Sequence, residues 1–261
     1  MNIDTFNIDT FNMIMNHGFF YYPIKDIDMV NNMMIQVKKY FNLSLEKKML
    51  NPHNNKGLGY IPMNRVRNGI TITKESFTYI PSKIISPFDN IIDNYYNMMN
   101  IIAKEIFSKI MNYHNISINK YNELIENASG TISILHYPQI KMNNNMIGIS
   151  PHTDWGLLTI LYTDMEGLQV QNNINNKWYD ILPKKDHFII NIADMIEILT
   201  DGKYKSTLHR VINKKEKYSI AYFYEPSHEY IIKPFNEKSI YKSIKYGMYR
   251  GNKIKISTNN N

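Results

Sequence analysis

Three residues in the second half of the chain have the types and spacing to hold a metal ion: His152 and Asp154 in SPHTDWGLLTIL, and His209 in KSTLHRVI. In an extended strand residues i and i+2 face the same way, so an HxD pair aims an imidazole and a carboxylate at one point. A second histidine from a neighbouring strand completes a facial triad. That set leaves other metal positions open and suits a non-haem Fe(II) centre, which must bind both oxygen and an oxidisable co-substrate. The pair alone proves little. With 8 histidines and 12 aspartates in 261 residues, chance supplies about 0.4 such pairs. The setting is more specific, because the pair opens a strand-like run, His209 precedes another, and a lysine and a serine follow it. The chain has no cysteine, which excludes disulfides, thiol catalysis and CxxC metal sites and leaves only histidine and carboxylate as ligands.

The elements that must position these residues change type along the chain. In 28–41, DMVNNMMIQVKKYF, residues Val30, Met33, Met34, Val37 and Phe41 recur at offsets of three and four, which predicts an amphipathic helix with Asp26 or Asp28 as its cap. A longer helix is predicted over 88–113, with Ile91, Tyr95, Met98, Ile102, Ile106 and Ile110 on one face. The segment between, GLGYIPMNRVRNG at 57–69, reads as a loop on its glycines and proline. From about residue 130 the period becomes that of strands: TISILHY, LLTILY, LQVQ, KWYDIL, HFIINI, HRVI and YSIAYFY, separated by turn signals such as NNINNK and TDG. Helices first and short strands second predict an α+β chain built on a jelly roll or related double-sheet barrel. We expect a single domain over 1–261, helix-rich over 1–128, with a jelly-roll core over about 129–235 and a C-terminal extension over 236–261.

The formal charge of +7 and pI near 9.2 invite a nucleic-acid partner. The excess of Asn, Ile, Lys and Tyr with few arginines is the bias of an AT-rich coding sequence, so the charge is expected to be solvated surface lysine. With mean hydropathy −0.39, no apolar run of membrane-spanning length and no secretory signal in MNIDTFNIDTF, a cytoplasmic location without membrane contact is expected.

The sequence resembles the isopenicillin N synthase-like group of Fe(II)/2-oxoglutarate-dependent dioxygenases. The matching segments run in order from NHGFFY at 16–21 and FNLSLEKKM at 41–49, through GYIP at 59–62, KESF at 74–77 and ILHYP at 134–138. They continue with PHTDWGLLTIL, EGLQVQ at 166–171, FIINIADMIEILTDGKYKSTLHRV at 188–211 and KYSIAYFYEP at 217–226. The resemblance implies a double-stranded β-helix, or jelly roll, with flanking N-terminal helices and iron held by His152, Asp154 and His209. It implies Fe(II), 2-oxoglutarate and O2 as the reacting set, with a small-molecule substrate. It also implies that Lys217, Ser219 and Tyr137 hold the co-substrate, that Tyr60, Arg65, Arg67 and Phe77 line the substrate entrance, and that Trp155 packs over the metal pocket.

The chain departs from the family pattern where Lys217-Tyr218-Ser219 replaces the usual Arg-x-Ser, exchanging a bidentate fork for a point charge. Leu135 stands where many plant members carry Asn, and the family's usual first strand is expected to be missing, loosening a sheet edge. Two other readings stay open: an iron oxidase that dispenses with 2-oxoglutarate, and a catalytically silent jelly-roll binding protein. A nucleic-acid demethylase of the AlkB type would carry an Arg-rich motif that RVINKKEKYSI at 210–220 does not reproduce. The substrate and the oligomeric state are not set by the sequence.

Overall fold

The computed structural model describes residues 8–54, 57–67, 69–141 and 146–259. Its first part contains α1 (Ile8–His17), β1 (Phe19–Pro23), α2 (Ile27–Phe41), α3 (Leu45–Lys48), β2 (Gly59–Ile61), β3 (Arg65–Arg67), β4 (Ile70–Ile72), β5 (Glu75–Tyr79), α4 (Ile91–Tyr113) and α5 (Ile118–Ile125). The second part contains β6 (Ser129–Tyr137), β7 (Met146–Ile147), β8 (Ile149–His152), β9 (Leu158–Thr163), β10 (Leu168–Gln171), β11 (Trp178–Ile181), β12 (His187–Ile192), α6 (Asp194–Leu199), β13 (His209–Val211) and β14 (Lys217–Glu225). The pair β15 (Ile231–Ile232) and β16 (Ile244–Lys245) and the terminal helix α7 (Tyr246–Asn259) follow.

A large sheet, ordered β1-β12-β9-β14-β6-β5-β2, faces a small one ordered β11-β10-β13-β8. The pairings within both are antiparallel. This is a jelly roll with helices packed on one side. The alternation along β14 shows how the sequence sorts the two layers. Tyr218, Ile220, Tyr222 and Tyr224 point to the helices and join the main core with α2 and α4, while Ala221 joins the smaller core between the sheets. Lys217, Ser219 and Phe223 share that inward side.

The predicted strand runs of the second half all appear. Asp26 caps α2 by accepting from the Met29 backbone N–H at 2.9 Å, and its predicted stripe is buried. In α4 the buried arc is wider than expected: Ile92, Met99, Ala103 and Phe107 are buried, whereas Ile91 and Met98 are only partly covered. The structure corrects the loop expected over 57–69, which contains β2 and β3. Gly59, at φ 105°, brings the chain so close to Pro52 that a Cβ would stand 2.5 Å from its carbonyl oxygen. The glycine there marks a tight backbone approach beside a strand rather than the absence of one. At the edge, β1 pairs along its whole length with β12, from Phe19 opposite Asn191 to Pro23 opposite His187.

Candidate metal centre

The small sheet brings the three candidate ligands together. His152 closes β8 and lies directly opposite His209, which opens β13, and their rings are 4.2 Å apart between centroids. The expectation that Asp154 shares a strand face with His152 is corrected, because Asp154 lies beyond β8 in the turn toward β9. It reaches the same point because its surroundings fix it. Its backbone carbonyl accepts from Asp194 N–H at 2.9 Å, and its Oδ2 accepts from the Thr159 hydroxyl at 2.6 Å. Oδ1 then stands 3.8 Å from His152 Nε2 and 3.9 Å from His209 Nε2.

Both imidazoles are held the same way. Nδ1 of His152 donates to the Ser150 carbonyl and Nδ1 of His209 to the Thr207 carbonyl, each at 2.9 Å. A carbonyl can only accept, so each Nδ1 carries the proton and each Nε2 offers its lone pair. One atom from each of the three residues lies within 4.8 Å of the others. Two oriented lone pairs and a buried carboxylate with one oxygen already satisfied make a donor set that fits a divalent ion, with the outer hydrogen bonds that metal sites use to orient their ligands.

Two adjoining cavities meet at His152 and Asp154. The inner one, about 120 Å³, runs between the sheets from the triad to Lys217, Ser219, Tyr137 and Leu135. Lys217 is buried, its ammonium 4.4 Å from the Tyr137 ring centroid. Burial pushes its pKa down to about 8, opposed by the Asp164 carboxylate. Tyr137 is buried, which raises its phenol pKa, and shares a side-chain hydrogen bond with Ser219. Asn191 also lines this cavity, and its buried side-chain oxygen has no hydrogen-bond partner among the described residues. The outer cavity, about 260 Å³, is walled by Trp155, Phe223, Thr78, Thr131, Glu225 and Arg250 among others.

The predicted entrance residues are not gathered there. Tyr60 and Phe77 are opposite each other on β2 and β5 but point to the helix side. The Tyr60 hydroxyl donates to Glu75 within a buried cluster that includes Lys48 and His136. Period-two alternation puts Thr78, not Phe77, on the cavity side. Arg65 is exposed on β3, and the side chain of Arg67 lies outside the described residues. Arg210 is held by Gln169 at 2.8 Å and stacks 4.2 Å from the centroid of Trp178, away from the triad. Three charged cavity residues escaped the sequence reading: Lys74 of the inner cavity and Glu225 and Arg250 of the outer one. A signal for Arg250 existed, since it is one of only four arginines in a chain otherwise rich in lysine.

Residues 113–226 match the family model of the 2OG-Fe(II) oxygenase superfamily. That stretch of the chain is similar to this superfamily. Clavatol oxidase of Penicillium crustosum is 30% identical over 155 residues, covering 56% of this chain and 46% of that protein. Homoarginine-6-hydroxylase of Arabidopsis thaliana is 35% identical over 145 residues, covering 51% and 40%. The chain thus spans about half the length of the curated relatives it matches. Among solved structures, a full-length Neurospora crassa protein in complex with alpha-KG superposes with a TM-score of 0.85 at 22% identity, covering 95% of this chain and 89% of that one. At that identity the likeness is one of fold, and it agrees with the facing sheets and flanking helices. Among the described residues no helix is long and apolar enough to cross a membrane.

Proposed function

We propose that the protein is an Fe(II)- and 2-oxoglutarate-dependent oxygenase acting on a small molecule, with His152, Asp154 and His209 as the metal ligands. The observation that supports this best is the inner cavity, which has the triad at one end and a buried lysine, with Ser219 and Tyr137, at the other. That is the layout a 2-oxo acid with a distal carboxylate requires.

When bound, Fe(II), 2-oxoglutarate and O2 supply the oxidising chemistry, releasing succinate and CO2 as a substrate C–H bond is oxidised to a hydroxylated, desaturated or cyclised product. The chain's own residues do the rest. Ser150 and Thr207 carbonyls fix the imidazoles, and Thr159 fixes the carboxylate. Lys217 answers the distal carboxylate with a charge that burial makes costly to leave unmatched. Ser219 and Tyr137 offer hydroxyls beside it. Trp155 and Phe223 wall the side where substrate would approach and limit water there. The matching of both ends of one cavity also supports a single functional domain.

The test is oxygen uptake and succinate release with and without 2-oxoglutarate, with Asp154→Ala as the control. Succinate formed in step with oxygen and lost in the control is the expected result. Oxygen uptake that ignores 2-oxoglutarate would point to the oxidase, and absence of both to a binding protein.

A further inference from the structure

The inner cavity contains a second cation. Glu75 of β5 pairs with His136 of β6 and faces the helix side, where it meets Lys48 and His136. One residue earlier, alternation turns Lys74 the other way, and it lines the same cavity as Lys217 and the triad. The register places the two lysines symmetrically. Lys217 is the β14 partner of Tyr137, and stepping back from the Glu75–His136 pair brings Lys74 alongside Tyr137 from the β5 side. Tyr137 therefore has a lysine on each flank.

Neither lysine has a carboxylate within ion-pair distance among the described residues. The chain is capable of pairing a buried cation, as Lys48 shows with Glu75 at 2.7 Å. Two ammonium groups sharing one confined space repel each other, and both are costly to desolvate. Burial, then the charges of Arg65 and Lys217, push the Lys74 pKa down to about 7. A cavity built this way is complementary to an anion.

We propose that Lys74 is a second binding residue for the distal carboxylate of the 2-oxo acid, so that two lysines from opposite flanks of Tyr137 do the work of one guanidinium. This rests on the co-substrate reading above. It accounts for the departure at Lys217, because a single ammonium, although it has three N–H donors, does not hold two of them in the parallel fork of a guanidinium, whereas two ammonium groups from different strands can each take one carboxylate oxygen.

The test is calorimetric titration of the Mn(II)-loaded protein with 2-oxoglutarate and with 2-oxobutyrate, which keeps the 2-oxo acid end and lacks the distal carboxylate. Lys74→Met is expected to weaken 2-oxoglutarate about 10- to 100-fold, the loss of one hydrogen bond to a charged group, while 2-oxobutyrate changes less than about twofold. Lys74→Arg, which keeps the charge, is expected to restore most of the affinity and so to separate charge from packing. A Lys74→Met protein that binds 2-oxoglutarate as the wild type does overturns this inference alone. A wild type that shows no preference for 2-oxoglutarate over 2-oxobutyrate overturns the co-substrate reading and the inference with it.

Discussion

Thr159 donates its hydroxyl to Oδ2 of Asp154 at 2.6 Å, and this bond decides which carboxylate oxygen is left to face the two imidazoles. Thr159→Val removes the donor with little change of shape. It is expected to weaken Mn(II) or Fe(II) binding about 10- to 100-fold, the usual range for a group that orients a ligand, while Thr159→Ser retains most of the affinity. Anaerobic metal titration reads the difference, and an unchanged dissociation constant in the valine variant would show that Asp154 is oriented by its backbone alone.

In the co-substrate role proposed above, Lys217 would make keto-acid binding depend on pH. In the free protein its pKa is held down to about 8, chiefly by burial, and only the ammonium form attracts a carboxylate. Below that pH the charge is already present. Above it binding must take up a proton, so affinity falls by up to about tenfold per pH unit for each lysine recharged. Lys74, near 7, would begin the decline earlier. Titrations between pH 6.5 and 9.5 in buffers of different ionisation enthalpy would show both the fall and the proton uptake. Lys217→Arg should flatten the upper part of the curve, and a flat wild-type profile is the outcome that would count against the assignment.

Glu75 gives the fold an acid-sensitive component. Burial acts to raise its pKa, but donors from His136, Lys48 and Tyr60 outweigh that and hold it below the ordinary value. A depressed carboxylate contributes stability above its unfolded pKa, about 4.3, and that contribution is lost as pH falls through the folded value. Glu75→Gln leaves Lys48 buried without its counter-charge and should cost about 3–5 kcal/mol at pH 7. Its urea midpoint should also vary less than the wild type's between pH 5 and 3. Parallel pH dependence in the two proteins would refute this account.

Gly156 sits where no side chain fits. A Cβ there would stand 2.4 Å from the Tyr224 carbonyl oxygen, a backbone atom that also accepts from Leu157 N–H at 2.8 Å. Gly156→Ala must shift the turn that holds Asp154, and should cost about 1–3 kcal/mol of stability together with metal affinity. Thermal melts with and without Mn(II) separate the two losses. A variant that melts and binds like the wild type would show that the turn yields freely.

The second half of the chain was legible because its strands alternate: in KYSIAYFYE the aromatic and aliphatic residues at even positions point one way and Lys217, Ser219 and Phe223 the other. The grouping of His152, Asp154 and His209 was legible from residue types, although its geometry was not. Asp154 reaches the site through a turn fixed by Thr159, five residues on, and by the backbone of Asp194, a long-range contact that no local spacing encodes. The entrance residues went wrong for a different reason. KESFTYI carries its own alternation, with Glu75, Phe77 and Tyr79 on one side and Lys74, Ser76 and Thr78 on the other. The apolar set faces helices whose docking cannot be seen in the segment itself, so choosing Phe77 for the cavity chose the wrong side of the strand. The β2 strand was hidden because Gly59 serves a close approach rather than a turn.

The pairing of β8 with β13 has a consequence for how the protein is made. With His152 and His209 as ligands, the metal can be gripped only after two distant stretches of chain have met across a finished sheet. An ion that binds the native chain and not the unfolded one stabilises it by mass action, so the melting temperature should climb with metal concentration. On the proposed ligand set the centre would act as a quality mark: a misassembled copy would lack the grip for a redox-active ion, and only correctly folded molecules would be armed.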